Sequence, residues 1–88
     1  MSTWRVVFTR QAKKDAAQIA RSGLRERTEL LLAVLREDPY QNPPQFEKLT
    51  GDLAGAYSRR INIKHRLVYQ VISSDHTVKV LRMWTHYD

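Results

Sequence analysis

The chain has 88 residues, a net charge of +6 and no cysteine. That length fits one small domain and leaves no room for a second core, and the absent cysteines exclude disulfide staples and thiolate metal sites. Ten arginines outnumber five lysines, and the planar guanidinium fork matches phosphate oxygens, so the charge balance favours a nucleic-acid partner.

Met1-Ser2-Thr3-Trp4-Arg5 leads straight into a strand pattern without the apolar core of a signal peptide. No apolar run nears the roughly 20 residues of a membrane span, and a cytoplasmic setting is expected. Trp4, Val6 and Phe8 alternate with Arg5 and Val7, which predicts a first strand. Thr9 suits the N-cap of a helix starting near Arg10, with Ala12, Ala16 and Ile19 as its inner stripe. Ser22-Gly23 breaks that helix. A second helix runs from about Leu24 to Glu37, with Leu24, Leu31 and Leu35 on one face and Leu32 and Val34 beside them. Pro39 ends it, because the residue before a proline is pushed out of the helical region.

Tyr40 to Pro44 reads as irregular, and Phe46 to Leu53 as an ordered connection anchored by Phe46, Leu49 and Leu53. Ala56–Ile61 and His65–Ile72 form a hairpin across Asn62-Ile63-Lys64. After a turn at Ser73–His76, a last strand runs from Thr77 to about Trp84. The expected fold is α+β over residues 1–88: order β-α-α-β-β-β, with the two helices on one face of a mainly antiparallel four-stranded sheet.

Two short blocks concentrate cationic and titratable side chains: Tyr57-Ser58-Arg59-Arg60-Ile61 with His65-Arg66-Leu67-Val68-Tyr69, and the terminal His86-Tyr87. If Leu67, Tyr69 and Val71 face the helices, Arg66 looks out from the uncovered face. Val78, Val80, Arg82, Trp84 and His86 share a parity yet mix apolar with polar residues, which suggests a bulge or bend before His86. RNA can be cut without a metal if a base takes the ribose 2′-OH proton, a cation steadies the phosphate and an acid protonates the leaving 5′-oxygen. Glu47, Arg66 and His86 are candidates for those roles. No HExxH, CxxC or carboxylate cluster is present to hold a metal, and the three glycines are too scattered for a phosphate-cradling loop.

Each residue alone also has an ordinary reading. Glu47 can be a solvated loop carboxylate, and Arg59 and Arg60 a charged strand edge. Arg66 can be a surface partner of Asp52 or Asp75, His65 structural, His76 incidental to its turn, His86 a frayed end, and Trp84 and Tyr87 packing groups.

Taken together, the Tyr-Ser-Arg-Arg-Ile block, the His-Arg-Leu-Val-Tyr block and the terminal His-Tyr resemble the Txe/YoeB family of bacterial toxins, within the RelE-like superfamily. The resemblance is clearest from Glu47 to Tyr87. It implies a fold close to microbial ribonucleases and a toxin that enters the ribosomal A site and cleaves mRNA without metal or cofactor. A YefM/Phd-type antitoxin would neutralise it, and it would often form a homodimer. The resemblance assigns the base to Glu47, the charge stabiliser to Arg66 and the acid to His86, with Tyr87 beside it. Arg60 becomes a phosphate contact and Arg59 a weaker one.

Two departures stand out. Thr50 occupies the place of a lysine common in the family, and Lys48 stands where a nearby proline is usual, which makes Lys48 a substitute substrate contact. Asp88 extends past the usual terminal tyrosine, and its extra carboxylate would favour a protonated His86. Two other classes stay open: a ParE-like inhibitor of a protein target such as gyrase, against which the terminal His-Tyr speaks, and a passive basic RNA-binding module.

Overall fold

The computed structural model describes residues 3–84. Strand β1 (Arg5–Phe8) leads to helix α1 (Arg10–Arg21) and helix α2 (Arg25–Glu37), followed by strands β2 (Phe46–Lys48), β3 (Ala56–Arg60), β4 (Arg66–Ile72) and β5 (Thr77–Arg82). They form one five-stranded sheet in the order β1-β5-β4-β3-β2. Only β1 and β5 run parallel; the remaining pairs are antiparallel.

The α+β class and the helix pair agree with the expectation, and the strand count is corrected from four to five. The extra strand is β2, in the segment expected to be a mere connection. With three residues it is too short to show a convincing period of two, and only its ladder with β3 identifies it.

The helix ends follow local chemistry. The Thr9 hydroxyl accepts from the Ala12 N–H and donates to the Leu81 carbonyl at 2.9 Å, so one side chain caps α1 and ties it to β5. Gly23 adopts φ 77°, and the Leu24 N–H returns to the Ile19 carbonyl at 3.2 Å, a Schellman-type closure that turns the chain into α2. At the other end of α2, the Arg36 carbonyl accepts from the Trp4 N–H at 2.7 Å.

Ala12, Ile19, Leu31 and Leu35 meet Leu67, Tyr69, Val78 and Val80 in a core between the helices and one sheet face. The predicted stripe of α1 needs one change: Ala16 is exposed, and Asp15 is buried instead. Leu67 and Tyr69 are wholly buried, so alternation sends Arg66 and Val68 to the opposite face. The expected irregularity is a shift in the β4–β5 register at Val68/Tyr69, where Val68 pairs with Arg82 and Tyr69 with Val80. The described residues contain no helix long and apolar enough to cross a membrane.

Candidate functional site

The register of the sheet decides which polar side chains meet. Glu47 on β2 lies opposite Ser58 on β3, and Arg60, two residues further along β3, lies opposite Arg66 on β4. All four therefore share one face. They line a polar depression of about 250 Å³ together with Gln45 and Phe46. Arg66 donates from Nη1 to Glu47 Oε1 at 2.6 Å. Its partner is thus Glu47, and neither Asp52 nor Asp75.

Like charges set directly opposite on neighbouring strands repel. Arg60 and Arg66 are such a pair, and Glu47 is the one carboxylate lining the depression among the described residues. The cleft keeps an excess of positive charge around a single ion pair, an arrangement suited to an anion. No three His, Cys, Asp or Glu side chains gather to hold a metal ion among the described residues.

Two expected contacts lie elsewhere. Arg59 alternates with Arg60, so it points to the helix face, where it is 1 % exposed. Its guanidinium donates to the Pro39 and Pro44 carbonyls and to the Tyr69 hydroxyl, with its carbon 4.9 Å from the Phe46 ring centre. Arg59 is a structural arginine buried beside aromatic rings, which corrects its assignment as a phosphate contact. Burial pushes the Tyr69 hydroxyl pKa up, although neighbouring Arg59 opposes the shift. Lys48 pairs with Tyr57, one step out of phase with Glu47, and does not line the depression. The same alternation sets it apart from the depression.

His86 and Tyr87 lie outside the described residues. The chain leading to them is anchored twice. Trp84 stacks on His65 with ring centres 3.7 Å apart, and His65 immediately precedes Arg66. Beside it, Asp15 of α1 accepts from Arg82 Nε, from the Met83 N–H and from Gln11 Nε2. Burial alone would raise the Asp15 pKa, but these hydrogen bonds and one from the Trp84 backbone outweigh it and leave the pKa lowered. This Asp15 clasp was missed in the sequence, where a lone aspartate on a helix gives no sign of burial. Ser58 was missed too, though it shares parity with Arg60 and that was readable.

A two-helix layer over a five-stranded sheet, with a cationic cleft on the free face, defines a small RelE-like α+β domain. The profile of the YoeB-like toxins of bacterial type II toxin–antitoxin systems matches residues 6–87, and the chain belongs to that family. Toxin YoeB of Streptomyces coelicolor is 34 % identical over 85 residues, covering 94 % of this chain and 99 % of that protein. The YoeB/ParE toxin from Agrobacterium tumefaciens superposes with TM-score 0.85 at 30 % identity, over 94 % of this chain and 99 % of the other. YoeB in the heterotetrameric YoeB–YefM complex from Staphylococcus aureus gives TM-score 0.75 at 33 % identity, over 96 % and 98 % of the two chains.

Proposed function

We propose that this toxin is a ribosome-dependent mRNA endoribonuclease acting in the A site. The observation that carries the reading is the ion pair of Glu47 and Arg66 in a cleft where Arg60 faces Arg66. A base and a phosphate-binding cation on one concave face are what cleavage through the ribose 2′-OH requires. Glu47 takes the 2′-OH proton, and the 2′-oxygen attacks phosphorus. Arg66, with Arg60 beside it, meets the charge that builds on the phosphate oxygens. His86 gives its proton to the departing 5′-oxygen, and its sequence neighbour Tyr87 assists. The products are a 2′,3′-cyclic phosphate and a 5′-hydroxyl, and the chemistry uses side chains alone.

Trp84 stacked on His65 supports the role of His86. Trp84 stands two residues before His86 in the sequence, and its stacking partner His65 adjoins Arg66. The YoeB–YefM complex and the YoeB dimer from S. aureus support a YefM/Phd-type antitoxin and a homodimer as the partners.

Inducible expression in a bacterium tests the assignment. Wild type arrests growth and cuts mRNA, whereas Glu47→Gln, Arg66→Ala and His86→Ala each lose about a hundredfold or more in cleavage. Undiminished cleavage by these variants would overturn it. Arrest with intact mRNA would point to the inhibition of a protein target.

A further inference from the structure

The depression holds one polar group that the proposed chemistry does not use. Ser58 is 1 % exposed, and its hydroxyl has no hydrogen-bond partner among the described residues. Its strand neighbours explain why. On one side it faces Val68, which is apolar and buried; on the other it faces Glu47. Thr28 also carries a buried unpartnered hydroxyl, but it sits on α2 and does not line the depression. Ser58 instead forms the floor of the cleft, beneath Glu47, Arg60 and Arg66.

A buried hydroxyl left without a partner is costly, so its position calls for a partner that arrives in another state. Directly opposite residues in an antiparallel ladder hold their Cβ atoms about 5 Å apart, within reach of a serine hydroxyl and a glutamate carboxylate. In the free protein Glu47 is taken up by Arg66 at 2.6 Å. A substrate phosphate competes for that guanidinium.

We infer that Ser58 is a positioning residue for Glu47, an inference that rests on the reading of Glu47 as the base. When Arg66 moves onto the phosphate, the Ser58 hydroxyl donates to one oxygen of the Glu47 carboxylate. That holds the other oxygen toward the 2′-OH. Ser58 keeps its own proton throughout, and the ribose proton goes to Glu47. The hydrogen bond also favours the ionised carboxylate, so it extends activity toward lower pH.

The test is single-turnover cleavage of mRNA on programmed ribosomes across pH, with circular dichroism as the check on folding. Ser58→Ala lowers the maximal rate about ten- to hundredfold, the worth of one hydrogen bond to a charged group, without weakening half-saturation. It also moves the acid limb of the pH–rate profile upward. Ser58→Thr, which keeps the hydroxyl and suits a strand, retains the wild-type limb. A purely structural serine would change stability and leave the limb in place.

Glu47→Gln separates the two claims. If Glu47→Gln is inactive while Ser58→Ala keeps the wild-type rate and limb, the Ser58 inference is wrong and the base assignment stands. A fully active Glu47→Gln overturns both. Should Ser58→Ala fail to fold, Ser58→Cys fills the same space with a weak donor and must show the same slowed rate and raised limb. Wild-type behaviour there overturns the inference.

Discussion

Arg59 and Arg60 are neighbours in sequence and opposites in role. One residue of register puts the first among aromatic rings and proline carbonyls and the second in the open cleft. Arg59→Ala removes a large buried side chain and its hydrogen bonds to the Pro44 and Pro39 carbonyls and to the Tyr69 hydroxyl, leaving Tyr69 and Pro39 only each other. The expected cost is about 3–5 kcal/mol, a large share of the 5–15 kcal/mol typical of a whole domain. Chemical denaturation checks it. A loss below about 1 kcal/mol, the level of a typical surface change, would show that the buried guanidinium does not hold this end of the sheet. The contrast was present in the sequence. Once Leu67 and Tyr69 are assigned inward, alternation in the paired strand allows one of the two arginines to face out, but propensity and charge alone treat them alike.

At the scale of elements, the α1–β5 clasp sets where the chain goes after Arg82. Asp15 is 3 % exposed and joins Arg82, whose side chain is 39 % exposed, to the Met83 N–H. Asp15→Asn places an amide donor against donors. It should cost roughly 1–3 kcal/mol at neutral pH, with the lower end favoured because Arg82 is partly screened by water. Because the folded-state pKa lies below the ordinary 3.8, the carboxylate's contribution is fully present above that value. It fades as pH falls through the lowered folded pKa. Denaturation midpoints of wild type and variant should therefore converge in acid. A gap that stayed constant or widened below pH 3.8 would contradict the ion pair as its source.

The same elements show why some parts of the fold were legible and others were not. Helix α1 announces itself through its threonine cap and the Ser22-Gly23 break, and α2 through leucines spaced by a helical turn. Strands β4 and β5 show β-branched and aromatic residues. Strand β2 escaped because Phe46-Glu47-Lys48 carries no pattern of its own, and its structure comes from pairing with β3. Glu47 was nonetheless picked out beforehand by resemblance, and the ladder supplies the physical reason it meets Arg66. Asp15 and Ser58 remained hidden because burial of a polar residue depends on partners distant in sequence.

Across the whole molecule, the positive charge is widely distributed, yet the sheet order gathers Arg60 and Arg66 on the face opposite the helices. An RNA strand in the cleft should release counterions in proportion to the arginines it neutralises. Each phosphate contact to a single strand contributes about 0.7 to the slope of log affinity against log salt. Removing Arg60 as Arg60→Ala should flatten that slope by about 0.7 while leaving thermal stability within about 0.5 kcal/mol of wild type. An unchanged slope would place Arg60 outside the RNA path.

The central claim is that Glu47 and Arg66 share the chemistry of RNA cleavage, and it is tested most directly by the ends of the cut RNA. Purified toxin incubated with ribosomes carrying mRNA should yield 5′-hydroxyl and 2′,3′-cyclic phosphate termini, and the double variant Glu47→Gln, Arg66→Ala should yield none above the uncatalysed level. Equal amounts of the same termini from the double variant would contradict the account.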